Sequence, residues 1–350
     1  MYKRAIVCSI LFLLAISQAY AGKDGKCYAL ALQGGGDKGA YQVGALAEIV
    51  DNSDPAEVQY DIVSGVSIGS INGALLAGYP KGQEQEATDY MEETWKTLTR
   101  QNVYKEWPWG GVARGLLFKS SLFDSSPFRE YIRGQISPPQ RGLLVSATDA
   151  RTGAEKTWDE TVDFETLVRA IDASSSYPGF FEPVQDMDNT TYYDGGTSYS
   201  VNIFGAINRC IEMGYDHSQI VVDVIMCTGA TFHDKDVSKY RTIPMVLRFL
   251  EIERYYDSME LVERAVADFN DVNFRYIVVP TTKLESSIIP MEFHHDQIVS
   301  MIEQGRKDAK QVMDLGQGVA TKHLLEYHNK KLYHSYTEDY SEFLKQKANL

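Results

Sequence analysis

The sequence predicts an α/β protein: a central sheet, mixed but mostly parallel, with helices on both faces. Three observations carry this. Short apolar runs that stop at glycines alternate with segments whose apolar residues recur at helical spacing, and strands interleaved with helices pair through crossover connections that cover both faces of a sheet. The 350 residues are 44% hydrophobic and 23% charged, which supplies a sizeable core and excludes a disordered or fibrous chain. No internal repeat or low-complexity linker interrupts the pattern, so residues 22–350 read as one domain behind a short leader.

The elements follow in order. Residues 27–33 form an apolar run that ends in glycines, and residues 40–49 continue with apolar positions at helical spacing, giving strand, loop, helix. Residues 60–64 are the next strand, and residues 68–77, rich in small and apolar side chains, the next helix. Residues 82–100 read as an acidic amphipathic helix. After the Pro138-Pro139 break come a strand over 143–148 and a helix over 164–173. Strands over 219–227 and 276–279 and long helices over 245–269 and 296–313 complete the fold.

The first 21 residues read as a signal peptide. Met1 to Arg4 is basic, residues 5–17 are almost wholly apolar, and Ala19-Tyr20-Ala21 offers the small-x-small pattern that signal peptidase accepts, so cleavage is expected before Gly22. Thirteen apolar residues are too few to cross a hydrocarbon core, which takes about 20 in a helix. The mature chain is expected in the lumen of the secretory route or outside the cell. Losing Lys3 and Arg4 and no acid takes the net charge from −14 to −16, which disfavours binding to nucleic-acid phosphates and electrostatic attachment to anionic membranes. With Cys8 in the leader, Cys27, Cys210 and Cys227 allow at most one internal disulfide of open pairing, and Cys227, closing an apolar run, reads as a buried thiol. Asn189-Thr190-Thr191 is a glycosylation acceptor if the chain enters that lumen. Spacing gives no metal site and no calcium loop, so metal-independent and cofactor-independent chemistry is expected.

Three short constellations carry the chemistry. Gly34-Gly35-Gly36-Asp37-Lys38-Gly39 lies between a strand and a helix, where missing Cβ atoms let backbone N–H groups turn toward an anionic oxygen. Read literally, it also fits G-x-G-x-x-G. A dinucleotide site, however, wants an acid at the end of the second strand, and Asp61 sits at that strand's start. Gly65-Val66-Ser67-Ile68-Gly69 matches G-x-S-x-G at a strand-to-helix junction, the position that holds a nucleophilic serine out from the backbone; the plainer reading is a serine cap with packing glycines. Asp194-Gly195-Gly196 follows Tyr192-Tyr193 and would alone be a turn. Together the three supply oxyanion donors, a nucleophile and a base, the parts that acyl transfer requires.

This set resembles the patatin-like phospholipases, or lipid acyl hydrolases, whose signature is a G-G-G-x-R/K-G loop, a G-x-S-x-G elbow and a D-G-G or D-G-A aspartate in that order. The resemblance runs over residues 27–202, with residues 203–350 completing the domain; Gly44 and Leu46, Ala147-Thr148-Asp149 and the Ala173-Ser174-Ser175 stretch before Pro178 also fit it. It implies a three-layer patatin sandwich and a Ser67–Asp194 dyad acting through an acyl-enzyme on phospholipid or related glycerolipid esters. It also implies an oxyanion hole at Gly34, Gly35 and Gly36, supported by Lys38, Gly39, Gly65, Gly69, Gly195 and Gly196. Lys38 stands where many members have arginine, keeping the charge but losing the bidentate fork, and the asparagine expected soon after the aspartate arrives late, as Asn202. Burial beside Tyr192 and Tyr193 is expected to lift the Asp194 pKa toward the working pH.

Two other readings compete. A Ser-Asp-His hydrolase would take His294 or His295 as base, and a secreted binding or storage protein would keep the fold without turnover. Contact with a membrane or micelle surface would be transient and apolar. Glu106-Trp107-Pro108-Trp109-Gly110-Gly111 and Gly115-Leu116-Leu117-Phe118 suit an interfacial patch or lid, although the plainer expectation is that the tryptophans pad the core.

Overall fold

The computed structural model describes residues 24–185, 189–284, 293–333 and 338–348; the leader read over residues 1–21 lies outside these. Strands and helices are numbered in chain order. The strands are β1 (Cys27–Leu32), β2 (Ile62–Val66), β3 (Gly142–Asp149), β4 (Glu155–Asp159), β5 (Val184–Gln185), β6 (Thr191–Asp194), β7 (Ile220–Ile225) and β8 (Asn273–Val278). Helices α1 (Gly39–Asn52) and α2 (Ile68–Ala77) follow β1 and β2. Then come α3 (Glu84–Thr97), α4 (Arg100–Val103), α5 (Gly111–Phe118) and α6 (Ser126–Gln135), and after β4, α7 (Phe164–Ser174). The remainder are α8 (Ile203–Glu212), α9 (Thr242–Asp268), α10 (His295–Leu315), α11 (Val319–Tyr333) and α12 (Tyr340–Ala348).

The strands form one sheet in the order β5-β6-β3-β2-β1-β7-β8, with β4 pairing β3 off that path. The centre, β3-β2-β1-β7-β8, is parallel throughout, whereas β4 and β6 run antiparallel to β3 and β5 antiparallel to β6. The sheet is therefore mixed and mostly parallel, as the sequence predicts. Strand β1 shows why its sequence is unbrokenly apolar: Tyr28, Leu30 and Leu32 point into one core, and Cys27, Ala29 and Ala31 into the other. Helices α1, α2, α3, α7 and α10 cover the first face, and α8, α9, α11 and α12 the second, which makes three layers.

Two details move from expectation. Strand β2 lies two residues further on than its apolar run suggests, because Gly65 pairs with Leu32 on one side and Gly65 and Val66 pair with Val145 and Ser146 on the other, while Tyr60 leaves the strand and donates its hydroxyl to Asp223 at 2.7 Å. The tryptophans do not both pad the core. Trp107 is buried and donates its Nε1–H to the Ser121 carbonyl, but Trp109 is 94% exposed and α5 presents Leu116, Leu117 and Phe118 to solvent. In α5 only Gly115 is buried, so the helix has no face to give the core. The open cysteine pairing resolves as Cys27–Cys210, tying β1 to α8, and Cys227 is a buried free thiol.

Candidate active site

The elbow is built by close packing. β2 ends at Val66 and α2 begins at Ile68, leaving Ser67 to turn the chain at φ 54°, a left-handed conformation that costs a non-glycine residue about 1–3 kcal/mol. A Cβ on Gly65 would stand 2.2 Å from the Gly69 carbonyl oxygen, so the turn closes only around a bare backbone. The strain is held by bonds on both sides. The Ser67 amide donates to Ser174 Oγ at 2.9 Å, Ser174 Oγ donates to the Ser146 carbonyl at 2.6 Å, and the Ser67 carbonyl accepts from the amide and hydroxyl of Ser70.

Asp194 ends β6, 127 positions away in sequence, and its Oδ2 accepts the Ser67 hydroxyl hydrogen bond at 2.5 Å. Its Oδ1 accepts the Gly196 amide at 2.8 Å, and its own amide donates to the Ser176 carbonyl at 3.0 Å. Burial is the larger influence on this carboxyl. It is raised to about 6, although the hydrogen bonds from Ser67 and Gly196 pull the other way. The expected lift beside the buried Tyr192 is thus present.

The glycine loop divides its duties. The Gly34 amide, expected among the oxyanion donors, is already bound to the Ser200 carbonyl at 2.9 Å. Gly35 and Gly36 line a cavity of about 40 Å³ together with Ser67 and Asp194, and their amides are left unspent among the described residues. Gly36 holds φ +63°, a conformation that favours glycine, and a Cβ on Gly35 would lie 2.4 Å from Cys227 Cβ. Ile68, Ile71, Phe128, Phe181 and Phe293 supply much of the remaining wall, which suits an acyl chain.

The supporting residues act mainly by packing. A Cβ on Gly39 would strike Ile68 and Trp95, one on Gly69 the Leu32 carbonyl, and one on Gly195 the Ser146 carbonyl. Lys38 is partly buried behind the loop; burial holds its ammonium below its ordinary value and the Arg254 guanidinium pushes it further. Asn202 caps α8 by accepting the Gly205 amide and donates to Ser146 and Glu155, which is a structural role. Asn189 is exposed. His294 precedes α10 and His295 opens it, with Nδ1 at 3.1 Å from the Lys96 carbonyl; neither lines the cavity at Ser67. No cluster among the described residues could hold a metal ion.

Two residues that sequence reasoning passed over belong to this site. Gln33, fully buried directly before the glycines, accepts the amides of Cys227 and Thr228 and donates to Ser258 Oγ at 2.6 Å, fixing the loop to the neighbouring strand end. Its only signal is a polar side chain closing an apolar strand. Arg254, on α9, reaches the cavity from a helix whose sequence gives no sign of it.

The family described as Patatin-like phospholipase matches residues 30–207. An uncharacterised protein of Acanthamoeba polyphaga mimivirus is 27% identical over 297 residues, covering 81% of this chain and 92% of its own length. A cUMP-AMP-activated phospholipase of Escherichia coli is 23% identical over 310 residues, covering 82% and 91%. Among solved structures, VipD from Legionella pneumophila aligns with a TM-score of 0.40 at 12% identity, over 84% of this chain and 69% of that one. With the elbow, the glycine loop and the aspartate inside the matched span, this chain belongs to the patatin-like phospholipase family.

Proposed function

We propose that this protein is a serine lipid acyl hydrolase that cleaves fatty-acyl esters of phospholipids or related glycerolipids through a Ser67–Asp194 dyad. The observation that carries the reading is the 2.5 Å hydrogen bond from Ser67 Oγ to Asp194 Oδ2 beside the unspent amides of Gly35 and Gly36. Asp194 takes the Ser67 proton as Oγ bonds to the ester carbonyl carbon, and the two amides hold the oxyanion that forms. When the tetrahedral intermediate collapses, the ester C–O bond breaks and Asp194 returns the proton to the departing lysolipid oxygen, leaving an acyl-Ser67. Water, deprotonated by the same carboxylate, then releases the fatty acid and restores the hydroxyl. No histidine is required. The partly exposed or solvent-facing apolar residues of α5 support a transient contact with lipid aggregates, and the Cys27–Cys210 disulfide supports maturation in an oxidising compartment after loss of the leader.

The test is a panel of phospholipids, galactolipid and triacylglycerol assayed with wild type, Ser67→Ala and Asp194→Asn, alongside fluorophosphonate labelling. Wild type is expected to label at Ser67 and release fatty acid. Asp194→Asn is expected to lower kcat by about 10² to 10⁴, the range for loss of a general base. Release of fatty acid by Ser67→Ala at the wild-type rate would refute the dyad.

A further inference from the structure

A second cavity adjoins the one at Ser67 and differs from it in charge. Its volume is about 950 Å³, and it shares Gly35, Tyr177 and Arg254 with the cavity at Ser67, so the two adjoin at the glycine loop. Seven of its lining side chains are lysine or arginine, and one, Glu251, is acidic. Glu251 is already satisfied by Lys235 at 2.6 Å and Arg248 at 3.0 Å. The remaining five, Lys38, Lys239, Arg241, Arg254 and Lys283, join no ion pair among the described residues, in a chain whose net charge is −14. Such a concentration of one sign in a concave wall focuses the field on whatever enters. Burial and the Arg254 guanidinium hold the Lys38 ammonium below its ordinary value, Asp37 and Glu251 offsetting only part of this, and an anion in the cavity would add to that offset.

We propose that this cavity is a headgroup subsite that takes the phosphate of a glycerolipid and selects lipids with a net negative headgroup over zwitterionic and uncharged ones. The proposal rests on the acyl-hydrolase reading. Adjacency is what assigns the cavity to a lipid rather than to a free anion: Gly35 and Arg254 line both cavities, so an ester carbonyl held at the glycine loop sets the rest of the same lipid beside Lys38 and Arg254. Lys239 and Arg241 line the same cavity and are exposed, which leaves them available to a further negative group on the headgroup, and Phe232, Ile243 and Leu247 line it as well. Without such a subsite an acidic protein would work more slowly on anionic surfaces than on zwitterionic ones.

The experiment measures kcat/KM on phosphatidylglycerol and phosphatidylcholine of identical acyl chains in mixed micelles, using the full chain. Wild type is expected to favour phosphatidylglycerol by about tenfold at low salt, with the ratio falling toward one in about 0.5 M NaCl as the charges are screened. Lys239 and Arg241 are exposed, so the Lys239→Gln, Arg241→Gln double variant folds, and its ratio is expected to drop by about fivefold. Lys310→Gln, on α10 outside the cavity, keeps the wild-type ratio. Soluble glycerophosphoglycerol is expected to compete with substrate. Equal ratios in wild type and the double variant would overturn the subsite. So would stimulation of phosphatidylcholine turnover by the soluble phosphodiester, which would assign the cavity to a free anion. Turnover of neither lipid, with no fluorophosphonate labelling of Ser67, would overturn the hydrolase reading and this one with it.

Discussion

In the proposed reaction Asp194 must be ionised, and its burial opposes ionisation. With the carboxyl raised to about 6, the acid limb of kcat/KM is expected near pH 6, and a limb at or below about pH 4 would show an aspartate unaffected by its surroundings. The sign for stability follows from proton counts. The native carboxyl holds its proton more tightly than the unfolded one, so stability falls as pH rises from about 4 to about 6 and the full cost stands above that. Asp194→Asn removes the charge and keeps the shape. It is expected to be more stable than wild type by about 1–3 kcal/mol at pH 8 and level with it near pH 4, as read by urea midpoints at the two pH values. An equal difference at both would show that ionisation is not the cause. Ser67 and Asp194 were legible because each sits in a glycine-flanked motif. That Gly34 spends its amide on Ser200, and that Gln33 fixes the loop beneath it, were not, since both depend on which distant strand end lies alongside.

At the scale of elements, the buried central strands and the long helices announce themselves, because a strand covered on both faces must be continuously apolar and an amphipathic helix must repeat its apolar face. Helix α2 has the bounds the sequence predicts, and α7 and α10 differ by a residue or two. The short edge pieces do not: β4 is mostly exposed, β5 spans two residues, and β6, which carries Asp194, reads in sequence as the approach to a turn. Helix α8 was hidden by the unexpected position of Asn202, which turns out to be its cap. The Cys27–Cys210 bond joins this helix to β1 across 183 residues, while the noncovalent support between the two is the packing of Ala29 and Ala31 near Ile203, Ala206 and Ile207. Closing so long a loop restricts the unfolded chain, so Cys27→Ser with Cys210→Ser is expected to cost about 2–4 kcal/mol, with the urea midpoint lowered accordingly. A midpoint within error of wild type would mean that packing alone fixes α8 on β1.

In the proposed function the whole molecule presents lipid with two different kinds of surface, and they respond differently to salt. Trp109, Leu116, Leu117 and Phe118 stand in solvent on and beside α5, an apolar patch of the kind that marks an interaction surface. The chain after α5 is bound to the Ser67 end of the molecule, since the Leu122 and Phe123 amides donate to the Gly179 and Phe180 carbonyls and Tyr177 and Phe181 line the cavity at Ser67. A surface that engages α5 is therefore delivered near Ser67. A net charge of −14 works against electrostatic attachment, so the proposed function assigns surface affinity to apolar insertion and headgroup choice to the cationic cavity. These separate experimentally. Leu116→Ser, Leu117→Ser and Phe118→Ser together are expected to raise the apparent KM for vesicles about tenfold or more relative to a monomeric short-chain ester, because each exposed side chain that enters the acyl boundary contributes on the order of 1 kcal/mol. In about 0.5 M NaCl that effect persists, since apolar burial is not screened, while the preference between headgroups fades. A triple variant whose vesicle KM matches wild type would place lipid contact elsewhere, and a KM effect that vanished with salt would mean that charge, not apolar area, brings the protein to its substrate.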